Sequence, residues 1–259
     1  MPSVERAAVV SIDRDGVGDA LARLRAVAER CGVELVDGDG ADVAIVLGGD
    51  GTMLRALSRF LGTGVPAIGI NYGRVGFLTA IEADGLETGV ERVFAGDYVT
   101  VELSTLEVTV DGVTRTAVND VVVAGETLGR MIEVGYAIGG EDLGSQPCDA
   151  LICATPTGST AYNLSNGGPV LVWGVDAQVL TFVAPHTLHI RPLVVPRGPE
   201  IAITNLTSDL ETTVLVDGQP VGVLATGERA IVRVGNQPSL LATLPEVTFF
   251  SRYAATFGR

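Results

Sequence analysis

Lysine is absent from this chain, and all 17 basic residues are Arg. Any phosphate chemistry must therefore rest on Arg, backbone N–H groups and a divalent metal, and both a P-loop lysine and a lysine Schiff base are excluded. Histidine occurs only as His186 and His189, and cysteine only as Cys31, Cys148 and Cys153. Neither set has metal-ligand spacing, so no metal-binding residues are expected, and an odd number of thiols fits a reducing compartment. Long apolar runs are missing too. The stretch 170–183 is broken by Asp176 and Gln178, well short of the roughly 18–20 residues of a spanning helix. At the N-terminus, Glu5 and Arg6 precede an apolar run, 7–12, that is shorter than a signal-peptide core of about 7–15 residues. These absences lead us to expect a soluble, cytoplasmic protein with no membrane partner.

What the chain does have is apolar content: 47% of its 259 residues are hydrophobic and mean hydropathy is +0.38. That is enough for a sizeable core in one large domain or two ordinary ones. Net charge is −14 and pI about 4.5, which argues against nucleic acid as a partner, since phosphate backbones select Lys and Arg surfaces.

The first third alternates between strand and helix periods. Strands are expected at 7–12, 33–36, 43–47 and 66–70, and helices at 17–31, 53–61 and 86–94. Gly32 closes the first helix. Strands this continuously apolar imply a parallel sheet covered on both faces. After about Gly96 the period changes to two. Residues 99–110 and 114–123 alternate around Asp111-Gly112, a hairpin signal, and Asp217-Gly218 marks another turn. Further strands are expected at 132–138, 179–183, 200–205, 213–216, 230–234 and 239–244, with one helix at 159–165. The fold class is thus a parallel α/β region followed by an antiparallel β-rich one, and the aromatic tail 247–257 should dock on something apolar.

Four segments carry chemistry. The first, Gly48-Gly49-Asp50-Gly51-Thr52, joins a buried strand to a helix. Its glycines let backbone approach phosphate, and the helix start offers unpaired N–H groups. An acid there repels phosphate, but it suits proton acceptance from an attacking hydroxyl, or a metal. The bland alternative is a mere connecting turn. The second, Asn71-Tyr72-Gly73-Arg74-Val75-Gly76-Phe77-Leu78, follows the 66–70 strand and suits a loop at the same sheet edge. The third is Asn119-Asp120 within an apolar run. Those polar groups either bond one another and the backbone, or grip a ribose diol or adenine edge. The fourth is the run 149–169, where a strand feeds a hydroxyl-rich turn, a short helix and Tyr162. It reads either as a plain capping motif at Thr157 or Ser159 or as a purine pocket with a stacking ring.

The Gly-Gly-Asp-Gly-Thr loop resembles the motif shared by NAD kinases, diacylglycerol-type lipid kinases and, loosely, phosphofructokinases. The second segment resembles the Asn-x-Gly-x-x-Gly-Phe-Leu motif of NAD kinases. The fourth, from Asp149 through Thr155-Pro156-Thr157-Gly158-Ser159-Thr160-Ala161-Tyr162 to Gly167-Gly168-Pro169, resembles their signature almost residue for residue. Weaker echoes are 184–192, with both histidines, and Asp217-Gly218-Gln219. Ala150, in place of the family's Gly, and Pro147 depart from the pattern.

The resemblance, which covers about 42–219, implies a Rossmann-like parallel α/β domain (1–97) and a C-terminal antiparallel β-sandwich that binds NAD (98–245). It also implies that the tail 246–259 returns to the first domain. The implied reaction is transfer of the γ-phosphoryl of ATP, or of polyphosphate, to the 2′-hydroxyl of the adenosine ribose of NAD. Asp50 would be the catalytic base, and Gly48, Gly49, Asp50, Gly51 and Thr52 would hold the donor with Mg²⁺. NAD contacts would come from Asp50, Gly51, Arg55, Asn119, Asp120, Arg130, Asp149, Thr160, Ala161, Tyr162, Asn163, Leu164, Ser165 and Gln219. NAD kinases form homodimers or homotetramers. The rivals are a lipid or sphingoid-base kinase, unsupported by segments two and four, and a non-catalytic NADP(H) sensor, against which Asp50 argues.

Overall fold

A computed structural model describes residues 3–12, 16–38, 40–73, 76–125, 130–187 and 189–258. The chain divides into two compact units, 1–102 with 239–259, and 103–238.

The first unit opens with β1 (Arg6–Ser11), α1 (Val17–Cys31), β2 (Glu34–Val36), β3 (Val43–Gly48), α2 (Asp50–Arg59), β4 (Ala67–Asn71), β5 (Thr79–Glu82), α3 (Leu86–Phe94) and β6 (Val99–Leu103). Strands β1 to β5 pair in parallel. Alternate strand residues such as Ile45, Leu47, Ile68 and Ile70 form one core with Leu24 and Val27 of α1 and Val90 and Val93 of α3. The amphipathic α2 packs against β3 and β4, with Met53, Ala56 and Leu57 buried. A side chain at Gly69 would meet the Met53 sulfur at 2.7 Å, so glycine there sets how closely α2 approaches the sheet.

In the second unit the strands are β7 (Leu106–Val110), β8 (Val113–Ala117), β9 (Asp120–Gly125), β10 (Ile132–Ile138), β11 (Glu141–Cys148), β12 (Ala150–Ala154), β13 (Ala177–Val183), β14 (Leu193–Pro196), β15 (Ile201–Asn205), β16 (Thr212–Val216), β17 (Gln219–Leu224) and β18 (Arg229–Val234). A four-residue α4 (Tyr162–Ser165) follows β12. They form two six-stranded sheets, β11-β10-β15-β18-β7-β8 and β14-β13-β12-β9-β16-β17. The core between them draws Leu106, Val134, Ile203 and Val232 from one sheet and Val121, Leu151, Leu180 and Val214 from the other, which makes the unit a β-sandwich. Both Asp-Gly turns are two-residue hairpin loops, with φ of 49° and 73° at Asp111-Gly112 and 48° and 76° at Asp217-Gly218. That double left-handed geometry is the one Asp-Gly favours. The chain then re-enters the first unit through β19 (Ser239–Thr243), which lies beside β4 and β6, and ends in α5 (Phe249–Phe257).

Two expected single strands are in fact broken. The run 99–110 divides at Ser104-Thr105, where the buried Thr105 hydroxyl donates to the Gln237 carbonyl at 2.7 Å. The run 114–123 divides at Val118-Asn119, where the chain crosses from one sheet of the sandwich to the other. The strand 239–244, counted above with the β-rich region, lies in the parallel sheet. Period-two patterning reports which face is buried but not which sheet a strand joins. Strands β5, β11, β14 and β17 were not anticipated. Among the described residues no helix is long and apolar enough to cross a membrane.

Candidate active site

In the first unit the site forms where β3 ends. Helix α2 begins at Asp50, with Gly49 as its cap, three residues earlier than the sequence pattern suggests. Gly48 is required by packing, because a Cβ there would lie 2.3 Å from the Thr52 hydroxyl. Gly49 and Gly51 are different: a Cβ at either meets nothing within 4 Å. Packing does not call for glycine at these two positions, and their bareness leaves backbone N–H groups at a helix N-terminus open to an anion. The Thr52 side chain is buried, and Arg55 is exposed on α2.

The half-buried Asp50 turns its carboxylate onto the second segment. The Phe77 N–H donates to Oδ2 at 2.8 Å and the Leu78 N–H to Oδ1 at 3.0 Å. Each oxygen keeps a further lone pair for another donor. Gly76 makes this possible, since a Cβ there would stand 2.2 Å from Asp50 Oδ1. Asn71 forms the turn itself, accepting from the Gly73 N–H at 2.9 Å. Arg74 and Val75 of this motif lie outside the described residues, as does Leu188 of the histidine-bearing stretch.

In the second unit three adjacent strands, β12, β9 and β16, present their loops at one end. Ala154 pairs with Asp120 and Val216 with Val121. The Asp217 carboxylate accepts the N–H groups of Val118, Asn119 and Asp120 at 2.9, 2.7 and 3.2 Å. That side chain takes the place of ladder partners, and it is why the chain can leave one sheet for the other at this point. Asp217 was noted above only as part of a turn; its distance from residue 119 in sequence hid this role.

Asn119 and Asp120 do not satisfy one another. Among the described residues the buried Asn119 Oδ1 and the buried Thr157 hydroxyl have no hydrogen-bond partner, so both await one. Burial, reinforced by the neighbouring Asp217 charge, pushes the Asp120 carboxyl from 3.8 up to about 7. Burial likewise pushes Asp217 up, against the pull of its three N–H donors. A raised folded-state value means that the folded protein holds the Asp120 proton more tightly than the unfolded chain. Its contribution to stability is therefore full below 3.8 and is lost as pH rises through about 7. Asp120→Asn should accordingly gain thermal stability relative to the native protein between about pH 4 and pH 8. Melting curves across that range check this, and a Tm difference independent of pH would contradict it.

The 155–169 run is held by its own side chains. The expected cap at Thr157 or Ser159 is not formed; instead Thr155 accepts the Gly158 N–H at 2.9 Å and donates to the Val118 carbonyl at 2.7 Å. The Ser159 hydroxyl donates to Pro156 O at 2.6 Å. Asn163 is assigned above to NAD, but its amide is engaged inside the protein. It donates to Ser159 O and Pro169 O and accepts from the Thr181 hydroxyl at 2.7 Å. Asn163 thus shapes the turn, and Gly168 leaves room for it, a Cβ there lying 1.9 Å from Asn163 Oδ1. The Thr160, Ala161 and Leu164 side chains are half-buried, while Ser165 and Gln219 are exposed. The Tyr162 ring, 45% exposed, is open to stacking.

Asp149 and Arg130 are exposed and stand apart from these groups. Asp149 precedes β12 and Thr155 follows it, so six residues at about 3.3 Å each separate them by ~20 Å. The Asp149 carbonyl accepts the Gly125 N–H at 3.3 Å, at the end of β9 remote from Asn119. His186 and His189 are exposed and are not among the residues gathered here.

Two family models match the chain: an ATP-NAD kinase N-terminal domain over residues 11–98 and an ATP-NAD kinase C-terminal domain over residues 118–244. The NAD kinase of Gemmatimonas aurantiaca is 40% identical over 233 residues, covering 88% of this chain and 81% of the relative. That of Heliobacterium modesticaldum is 41% identical over 214 residues, covering 81% and 76%. A solved NAD kinase from Archaeoglobus fulgidus in complex with ATP superposes with a TM-score of 0.81 at 26% identity, covering 95% of this chain and 98% of that one. Yeast NADH kinase complexed with NADH gives 0.87 at 20% identity, covering 99% and 88%, a likeness of fold.

Proposed function

This chain belongs to the ATP-NAD kinase family, and from that premise we propose how its own residues carry the reaction. The enzyme is a phosphotransferase that moves the γ-phosphoryl of ATP to the 2′-hydroxyl of the adenosine ribose of NAD, giving NADP. Asp50 takes the proton of that hydroxyl as the oxygen attacks phosphorus. The observation that carries this role is the seating of the carboxylate: two backbone N–H groups fix its orientation and leave each oxygen a lone pair for the substrate.

The N–H groups at Gly49–Gly51 receive donor phosphate, where neither glycine has a side chain to crowd the approach. Asn119 Oδ1, the Thr157 hydroxyl and Asp120 bind the adenosine, and the Tyr162 ring stacks on the base. The unpartnered atoms of Asn119 and Thr157 support that assignment. Asp149 and Arg130, ~20 Å along β12, serve the other half of an extended dinucleotide.

Among the described residues no group of three or more acidic, His or Cys side chains is gathered as a metal cage. Mg²⁺ would be held by the donor phosphates and supplied as MgATP, which is how this ion is usually presented, and would neutralise charge on the transferred group. With no Lys in the chain, chelation by EDTA should abolish NADP formation and added Mg²⁺ restore it. A rate that survives chelation, followed by NADPH absorbance in an assay coupled to an NADP-specific dehydrogenase, would show that Arg and N–H groups suffice.

A further inference from the structure

The C-terminal helix α5 carries a buried cation whose contacts converge on the segment that holds Asp50. Arg252 is 5% exposed. Its Nη1 donates to the Phe77 carbonyl at 2.7 Å and to the Thr79 carbonyl, and its Nη2 to the Thr243 hydroxyl at 3.3 Å. Phe77 is therefore held at both ends of its peptide framework, its carbonyl by Arg252 and its N–H by Asp50. Its ring is packed as well, 5.9 Å from Phe249 and 5.6 Å from Phe257 of the same helix. A capping box fixes the start of α5, with Thr248 and Ser251 exchanging side-chain and backbone bonds. Burial pushes the Arg252 guanidinium down to about 10, and the Asp50 carboxylate opposes that fall.

Burying a guanidinium is costly unless its donors are satisfied. A tail needed only for packing could have used an apolar side chain here, as it does at Phe249. Both carbonyls accept from the one Nη1 group, and the planar guanidinium fixes that group in place by anchoring its other arm, Nη2, on Thr243. Residue 78, whose N–H is the second donor to Asp50, lies between those two carbonyls.

We propose that Arg252 is a positioning residue for phosphoryl transfer: by clamping the carbonyls of Phe77 and Thr79, it holds the Phe77 and Leu78 N–H groups to the Asp50 carboxylate. This rests on Asp50 being the base. Arg252 touches no substrate. Its influence reaches the reacting hydroxyl through the 77–79 backbone, and the tail becomes a working part of the active site.

The test uses the full chain in three variants, Arg252→Ala, Arg252→Lys and Asp50→Asn, each measured for kcat, for KM toward NAD and ATP, and for Tm. Arg252→Ala should lower kcat by on the order of 10²-fold with both KM values nearly unchanged, the cost of a base displaced by about an ångström. Guanidinium ion added at low millimolar concentration should restore part of that loss. Arg252→Lys, which keeps the charge but not the fork, should fall in between and serves if the Ala variant does not fold. A Lys variant with native kcat, or an Ala variant losing Tm and both KM values together without guanidinium rescue, overturns the proposal. The Asp50→Asn arm separates the two ideas. If that variant keeps near-native kcat, the base reading fails; if it collapses while the Arg252 variants stay native, only the clamp fails.

Discussion

Asp50→Asn is expected to lower kcat by roughly 10²–10⁴-fold while leaving NAD affinity close to native. Asn matches Asp in size but cannot take the hydroxyl proton. The groups assigned to adenosine, Asn119, Asp120 and Thr157, belong to the other compact unit. One local cost is certain: the carboxylate accepts from two N–H groups, and an amide offers one oxygen, so one of those donors loses its partner. That cost falls on the native fold as a modest loss of Tm, about one net hydrogen bond. Initial rates from a coupled NADP assay, set beside NAD titration by calorimetry, separate the effects. Native kcat in the variant would remove Asp50 from the chemistry; equal losses in kcat and affinity would make it a binding group instead.

Gly158→Ala is expected to be the most damaging single methyl in the second unit. The added Cβ would stand 2.0 Å from the Asn119 carbonyl oxygen, 2.5 Å from its carbon and 2.9 Å from its Cα. All three are backbone atoms, and the same carbonyl accepts the Thr155 N–H at 2.8 Å. No rotamer relieves such a clash, so the 155–160 turn must part from the start of β9. We expect a loss of about 3 kcal/mol, the upper range for overpacking, and NAD binding weakened by more than about tenfold as Asn119 and Thr157 separate. Gly51→Ala is the control for stability, since a Cβ there meets nothing within 4 Å. Thermal melts and NAD titrations of both variants decide this. Equal Tm values would show that the turn yields more easily than its contacts suggest.

Those two glycines illustrate what could be read from the chain beforehand. The Gly-Gly-Asp-Gly-Thr loop, the parallel sheet around it and both Asp-Gly hairpins were legible, because strand and helix periods and turn chemistry are local. The partition of 99–110 and 114–123 was not. It depends on Thr105 meeting Gln237 and on Asp217 meeting the N–H groups of 118–120, contacts about a hundred residues apart in sequence. For the same reason Asn163 was assigned to NAD on its place in a motif, while the structure gives its amide to Ser159, Pro169 and Thr181. Nor could an aromatic tail announce that Arg252 reaches Phe77 and Thr79. The sequence pattern picked out the candidate segments, and the side chains that hold them in shape emerged only from the fold.

The most direct test of the account is the single-turnover rate of 2′-phosphorylation at saturating NAD and MgATP, measured in the native enzyme and in Asp50→Asn. If Asp50 takes the hydroxyl proton, the variant should be slower by roughly 10²–10⁴-fold although both substrates are bound. A variant that turns over at the native rate would contradict the claim that Asp50 is the base.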